Sequence, residues 1–563
     1  MQTTLEKLSR RDWRRPLEAW LGGIEAGWAI PAFLAIFIVF WMLQFTITYI
    51  NVDLHPDVLE AWSVGRFWTW GNPKHPPLMG WLAHLWTEIF PLTDWSIRLL
   101  AMVNAAVALW AVDLIVRRFA RADRRAMVLL LLMLLPVYQF HAQKFNANSV
   151  LLAVWPLATY CFLRSFETRS GFWSVATGVM CAFAMLGKYY SVFLIAGFGF
   201  AAIAHPQRAS YLRSPAPWIS MLAGFVVLGP HIHWLATTGS EPFQYAMRVH
   251  SGLPIETSLK DTVEFLLGIC GYLALPMFVW LLMAEFNLRA VAQDLRRMNS
   301  GLRLLALIFV GSIIFPVVTA LVLRTNLPSL WHLQGLFLVV IVAVCSAQFA
   351  VERSQVARLM LTVAAVCVIA LLAAPVQAVY RTKHPYKQGR NFYSLAAAVL
   401  NREWHAAYGI PLARVSGDDG LAFAAGFYGP DHPVYSRPFR FQGQWGIPRD
   451  VTLDKGWSAL CFADDASCMS WMDTVGDRTE REQRFEFTVQ SNLWGMPGAS
   501  RKVAVIMVSP VKGENPSLPK NSNDERLEDF SSSRRRTHNS FFHRAENDGG
   551  SALDRVVRIA KSP

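Results

Sequence analysis

The chain is short of charge and of cysteine. Charged residues make up 17% of its 563 positions and hydrophobic ones 53%, a balance that leaves too little polar surface for a water-soluble body. The mean hydropathy of +0.28 points the same way. None of the seven cysteines shows the Cys and His spacing of a zinc module. Cys161, Cys181, Cys270, Cys345 and Cys367 fall in apolar runs, where a thiol acts as a small apolar group. Cys461 and Cys468 lie in a more polar region; an oxidising compartment would let them close a small disulfide loop, and two buried thiols are the alternative. No internal repeat and no cleavable signal peptide is legible. The net charge of +13 is not gathered on a water-exposed face or motif, so no nucleic-acid partner is expected.

What the chain does contain is long apolar runs. Crossing about 30 Å of hydrocarbon takes roughly 20 helical residues, and about eleven runs are candidates. They lie at 29–50, 95–116, 126–140, 149–165, 172–187, 189–205, 217–235, 263–285, 303–323, 331–350 and 358–380. The runs 126–140, 172–187 and 189–205 are short enough to be tilted, buried or re-entrant. The expected fold is an all-α polytopic membrane protein with a small C-terminal α+β domain.

Arginine and lysine resist translocation and so mark cytoplasmic loops. They gather before the first run (Arg10, Arg11, Arg14, Arg15), after the second (Arg117, Arg118, Arg121, Arg124, Arg125) and in later alternate loops. The intervening loops are nearly bare of positive charge. This places the N-terminus in the cytoplasm and, for an odd number of spans, the C-terminal domain outside. A bacterial inner membrane is the expected location.

The expected organisation is an amphipathic cytoplasmic segment at 1–28, a membrane domain at 29–380 with an outer loop at 51–94, an α+β domain at 381–510 and a disordered polar tail at 511–563. The outer loop is far longer than the usual helix connection. It reads NVDLHPDVLEAWSVGRFWTWGNPKHPPLMGW. Asp57 and Glu60, three apart, share one side of a helix. A carboxylate there can take a proton from an attacking hydroxyl or bind a divalent cation. Lys74 and His75 precede two prolines that stiffen the chain and would hold cationic groups against a phosphate. The tryptophans could stack on a sugar, although anchoring at the membrane interface explains most of them.

At this loop the sequence resembles the polyprenyl-phosphate-sugar-dependent membrane glycosyltransferases of the GT-C fold. These include the protein O-mannosyltransferases, the lipid A aminoarabinose transferase and the rhizobial galacturonosyltransferases. Their Asp-Glu-Ala-Tyr and Asp-His-Pro-Pro-Leu elements correspond to Asp57-Val58-Leu59-Glu60-Ala61-Trp62 and Lys74-His75-Pro76-Pro77-Leu78. FNANSVLLAVWPLATY resembles the segment where relatives have Thr-Pro-Asp, with Asn148 at the place of that aspartate. AMLGKYYSV looks like the Ser-Lys-Tyr element and supplies Lys188 and Tyr189. PHIHWLATTG resembles a further outer segment with His231, His233 and Trp234, and RTNLPSLWHL an outer loop with Arg324.

The resemblance implies transfer of a sugar, with inversion, from a polyprenyl-phosphate donor to a lipid or protein acceptor at the outer membrane face. Asp57 or Glu60 is then the base. Lys74, His75, Asn148, Lys188, Tyr189 and Arg324 bind substrate. No cofactor is required by it, and a divalent cation is compatible with it. A transporter or flippase of a lipid-linked sugar, or an inactive sugar-lipid-binding relative, is the alternative.

Overall fold

Helices form wherever the apolar runs are long, because hydrocarbon leaves the backbone no partner but itself. The computed structural model describes residues 19–435, 455–476 and 481–510. The basic stretch before residue 19 and the tail after residue 510 lie outside the described residues. Among the described residues seven helices are long and apolar enough to cross a membrane: Ala29–Thr48, Asp94–Val116, Val150–Thr168, Ala216–Thr237, Ile255–Met283, Ser300–Leu323 and Arg353–Lys383. An eighth crossing arises if Ser329–Gly335 and Phe337–Ser346, bent by 44°, count as one.

The three runs expected to be short are helical and do not reach that length. One is Asp123–Met133, which stops before Pro136 and is followed by the π-helical turn Val137–His141. The others, Gly171–Gly187 and Val192–Ala204, are separated where Lys188 takes extended backbone with φ of −162°. That break puts the Lys188 ammonium at the end of the bundle. On the outside of the bundle, Ala216–Thr237 exposes Trp218, Leu222, Phe225 and Val226, a face suited to lipid.

The arginine-rich loops meet at one end. Arg118 pairs with Glu167 at 3.2 Å and Arg353 with Asp123 at 3.2 Å. Arg124 donates to the carbonyls of Ala347 and Phe349. Buried Asp113 takes Arg125 at 2.9 Å and Arg117 at 2.8 Å. The outer loop, Lys188 and the C-terminal region occupy the other end.

That C-terminal region is built on strands β1 (Arg414–Gly417), β2 (Val434–Tyr435), β3 (Trp457–Phe462), β4 (Glu482–Leu493) and β5 (Met496–Val508), ordered β2-β1-β3-β5-β4. β1 runs parallel to both β2 and β3, while β5 is antiparallel to β3 and β4. Gly417 has φ of +105°, and a Cβ there would lie 2.1 Å from the Leu460 carbonyl oxygen, so only glycine fits where β1 turns into the Asp419–Tyr428 helix. Cys461 and Cys468 form a disulfide, with their Cα atoms 5.7 Å apart.

The sheet region is tied to the start of the outer loop by hydrogen bonds. Arg390 donates twice to the Asp53 carbonyl, at 3.1 and 2.9 Å, and the Asp53 carboxylate accepts from the Ser394 N–H at 2.8 Å, in the first turn of the Tyr393–Tyr408 helix. Tyr428 accepts from the Leu54 N–H at 3.0 Å and donates to Asp94 at 2.9 Å. Trp62 packs edge-on against Phe427, with ring centroids 5.3 Å apart.

Candidate functional site

The loop begins with a helix whose start is written in three residues. Pro56 sits at the first helical position, where its missing N–H costs nothing. His55 caps the helix, its Nδ1 accepting from the Asp57 N–H at 3.2 Å. Asp57 follows in the first turn, where the helix dipole favours negative charge.

One turn separates two carboxylates with different surroundings. The Asp57 side chain is 44% accessible and takes the Asn146 amide at 3.2 Å. The Glu60 side chain is 5% accessible and binds the Lys74 ammonium at 3.0 Å through Oε2. The other Glu60 oxygen, Oε1, is buried without a hydrogen-bond partner among the described residues. Lys74 is held in turn by Asn72, whose side-chain oxygen accepts from the Lys74 and His75 N–H groups at 2.9 and 2.8 Å.

The protonation states follow from burial and neighbouring charge. Burial keeps the His55 imidazole neutral, pushing its pKa down to about 3 against the pull of Asp57. Burial works against charge on Asp57 as well. Neighbouring His55, the ammonium groups of Lys74 and Lys144 and the Asn146 amide outweigh it, and hold the carboxyl well below the usual carboxylate range. Glu60 is pushed by burial up to about 7, with Lys74 pulling the other way. Lys74 stays charged because Glu60 outweighs the burial of its ammonium. Burial, with Lys74 and Lys188 nearby, pushes His75 well below its ordinary value. His75 therefore offers a neutral imidazole rather than the cation expected from its position beside Lys74.

Lys188 reaches the same place from the break after Gly187. Its Nζ donates to Asn148 Oδ1 at 2.7 Å and lies 4.3 Å from the centre of the Trp331 ring. Asn146 satisfies the Asn148 and Ser149 N–H groups at 2.9 and 3.0 Å, leaving the Asn148 side chain for Lys188. Tyr189 turns to His231, with its hydroxyl 3.0 Å from Nε2, while His231 Nδ1 meets the Trp70 carbonyl. Tyr189 thus braces the outer loop from behind.

The structure brings together Asp57, Glu60, Lys74, His75, Asn148 and Lys188. It does not bring in Arg324, whose left-handed backbone (φ of 51°) ends the Ser300–Leu323 helix and whose side chain is exposed without a hydrogen bond or ion pair among the described residues. Three contributors were not anticipated from the sequence: His55, Lys144 and Asn146. The His-Pro pair ahead of Asp57 was a legible capping signal; a single lysine in a short turn was not.

Among the described residues no three His, Cys, Asp or Glu side chains converge.

Residues 74–234 match the sequence family described as dolichyl-phosphate-mannose-protein mannosyltransferase. Among curated proteins nothing matches the chain. Among solved structures it is similar to ArnT from Cupriavidus metallidurans bound to undecaprenyl phosphate, with a TM-score of 0.56 at 14% identity over 87% of this chain and 99% of that one. The apo state of the same protein gives 0.56 at 13% identity over 87% and 100%. These likenesses show the fold: helical membrane bundle and C-terminal α+β region together follow the GT-C plan anticipated from the outer loop.

Proposed function

We propose that this chain is a membrane glycosyltransferase that moves a sugar from a polyprenyl-phosphate donor to an acceptor at the outer face of a bacterial inner membrane. The observation carrying this reading is the placement of one accessible, ionised carboxylate, Asp57, among the ammonium groups of Lys74, Lys144 and Lys188, at the end of the bundle away from the arginine-rich loops. The matched mannosyltransferase family and the undecaprenyl phosphate bound by ArnT support it. By the charge rule the N-terminus lies in the cytoplasm and the sheet region outside.

The donor phosphate sits against Lys74 and Lys188, with the neutral His75 as a hydrogen-bond partner. As the bond from the anomeric carbon to the phosphate oxygen breaks, its electron pair goes to the phosphate, and fixed ammonium groups stabilise that growing charge. The acceptor hydroxyl attacks from the opposite face, so configuration inverts. Its proton passes to Asp57 as the new carbon–oxygen bond forms. Glu60 holds Lys74 in place and is a positioning residue. Asn148 orients Lys188. Membrane vesicles supplied with a polyprenyl-phosphate sugar test the reading: the native chain should produce free polyprenyl phosphate and a glycosylated acceptor visible by mass spectrometry. An Asp57→Asn chain with full activity overturns the base assignment.

A further inference from the structure

The hairpin of β4 and β5 ends in a residue that its own turn does not ask for. Leu493 pairs with Met496, leaving Trp494 and Gly495 as a two-residue turn with φ of +49° and +84°. Asn492 steadies it, its side-chain oxygen accepting from the Gly495 N–H at 2.9 Å. Two left-handed residues in succession make a type I′ turn, for which Asn-Gly is the favoured pair. A bulky residue at the first of these positions is held in an unfavourable conformation. Trp494 is also 72% exposed, and Met496 beside it 45%. The tryptophan therefore neither favours the turn nor fills the core.

The course of the hairpin says what the ring meets. Arg501 of β5 donates to the Lys387 carbonyl at 3.4 Å, beyond the end of the Arg353–Lys383 span. Nearer the turn, the backbone of Gly498 lies so close to Thr382, in the last turn of that span, that no side chain would fit between them, and Ser491 of β4 donates to the Thr382 carbonyl at 3.0 Å. From Arg501 to Gly498 the hairpin thus moves back onto the span, and its end is directed along the exposed Val376, Val379 and Tyr380. Composition changes over the same distance: exposed Arg484, Glu486 and Lys502 stand at the far end, and from Thr488 to Ser500 no residue is charged. We propose that the tip of this hairpin, Trp494 with Met496, is seated in the lipid headgroup layer at that end of the bundle and anchors the sheet region to the membrane. An indole suits that layer because its ring is apolar and its N–H polar. Thr382 also binds Asn51 at the start of the outer loop, so the anchor fixes the sheet region and the loop at one residue. None of this depends on the sugar chemistry.

Two measurements on the full chain test the anchor. In nanodiscs of phosphatidylethanolamine and phosphatidylglycerol, Trp494→p-benzoylphenylalanine under ultraviolet light gains the mass of one phospholipid. Glu486→p-benzoylphenylalanine, about 26 Å further along β4 at roughly 3.3 Å per residue, gains none. No lipid adduct at Trp494, or a crosslink there at twice the mass of the chain, overturns the proposal, the second outcome making the tip a contact between copies. Equal lipid labelling at both positions also overturns it, because the hairpin would then lie flat instead of dipping by its tip. Trp494→Asn separates anchoring from a structural role, since asparagine suits the turn. In detergent its melting temperature holds or rises. In nanodiscs amide exchange over Thr488–Ser500 becomes about tenfold faster than in the native chain, and Trp494→Tyr keeps it slow. A lower melting temperature in detergent for Trp494→Asn, or exchange in nanodiscs that does not change, refutes the anchor.

Discussion

The Lys188 ammonium donates to the Asn148 side-chain oxygen at 2.7 Å, so an uncharged amide stands where the resemblance leads one to expect a carboxylate. An amide orients the ammonium without neutralising it. A carboxylate at that distance would form a charge-assisted bond about twice as strong as the neutral one. Asn148→Asp should therefore compete with the donor phosphate for Lys188. We expect the donor KM to rise about tenfold with kcat changed by less than about threefold. Steady-state kinetics with varied donor checks this; a higher kcat would remove Lys188 from the phosphate site.

The two carboxylates should separate by role. Asp57→Asn deletes the proton acceptor in a side chain of the same shape and should lower kcat about 10²- to 10⁴-fold, with donor binding retained. Glu60→Gln keeps the shape of the Lys74 partner and loses its charge, so its effect should be smaller and should fall partly on donor KM. Equal, complete losses in both would mean that they act as one unit.

Glu60 also sets a pH dependence. Burial raises its carboxyl to about 7, so below neutrality it is protonated and Lys74 loses its charged partner. The rate should rise with pH through about 7, and Glu60→Gln should flatten that limb. Stability runs the other way. A carboxyl whose folded pKa is raised holds its proton more tightly in the folded chain than in the unfolded one, so its contribution is present at low pH and is lost as pH rises from the ordinary carboxylate range through about 7. Glu60→Gln should make thermal stability in detergent less dependent on pH across that window. A neutral-range limb that persists unchanged in the Gln variant would assign it to another group.

Much of this was legible because membrane helices announce themselves. Hydrocarbon demands about twenty apolar residues, and the longest runs became the longest helices. The short ones were harder to place: Pro136 divides a run that looks continuous by hydropathy alone, whereas the break at Lys188 already separated two runs. At the site, the spacing of Asp57 and Glu60 put them on one side of a helix but could not show that one would be accessible and the other buried. Lys144 resembled any lysine at a helix end. Arg324 looked like a phosphate ligand beside a membrane and proved to be exposed, because its left-handed backbone ends the helix and no bond draws the side chain inward. The ties from the sheet region to the loop lay beyond sequence pattern altogether, since Tyr428 and Asp94 are 334 positions apart.

Those ties make a last prediction. The half-buried Tyr428 hydroxyl serves two groups at once, the Leu54 N–H at 3.0 Å and the Asp94 carboxylate at 2.9 Å, and Leu54 lies three residues before Asp57. Tyr428→Phe keeps the ring and leaves both groups without that partner, a loss of about 1–3 kcal/mol. The melting temperature in detergent should fall by a few degrees. Because the loop rather than the donor side is loosened, kcat should fall while donor KM holds. Arg390→Lys should act in the same direction, since a lysine cannot reproduce the two guanidinium N–H bonds that converge on the Asp53 carbonyl oxygen. Unchanged melting and unchanged kcat in both variants would show that the outer helix holds Asp57 without help from the sheet region.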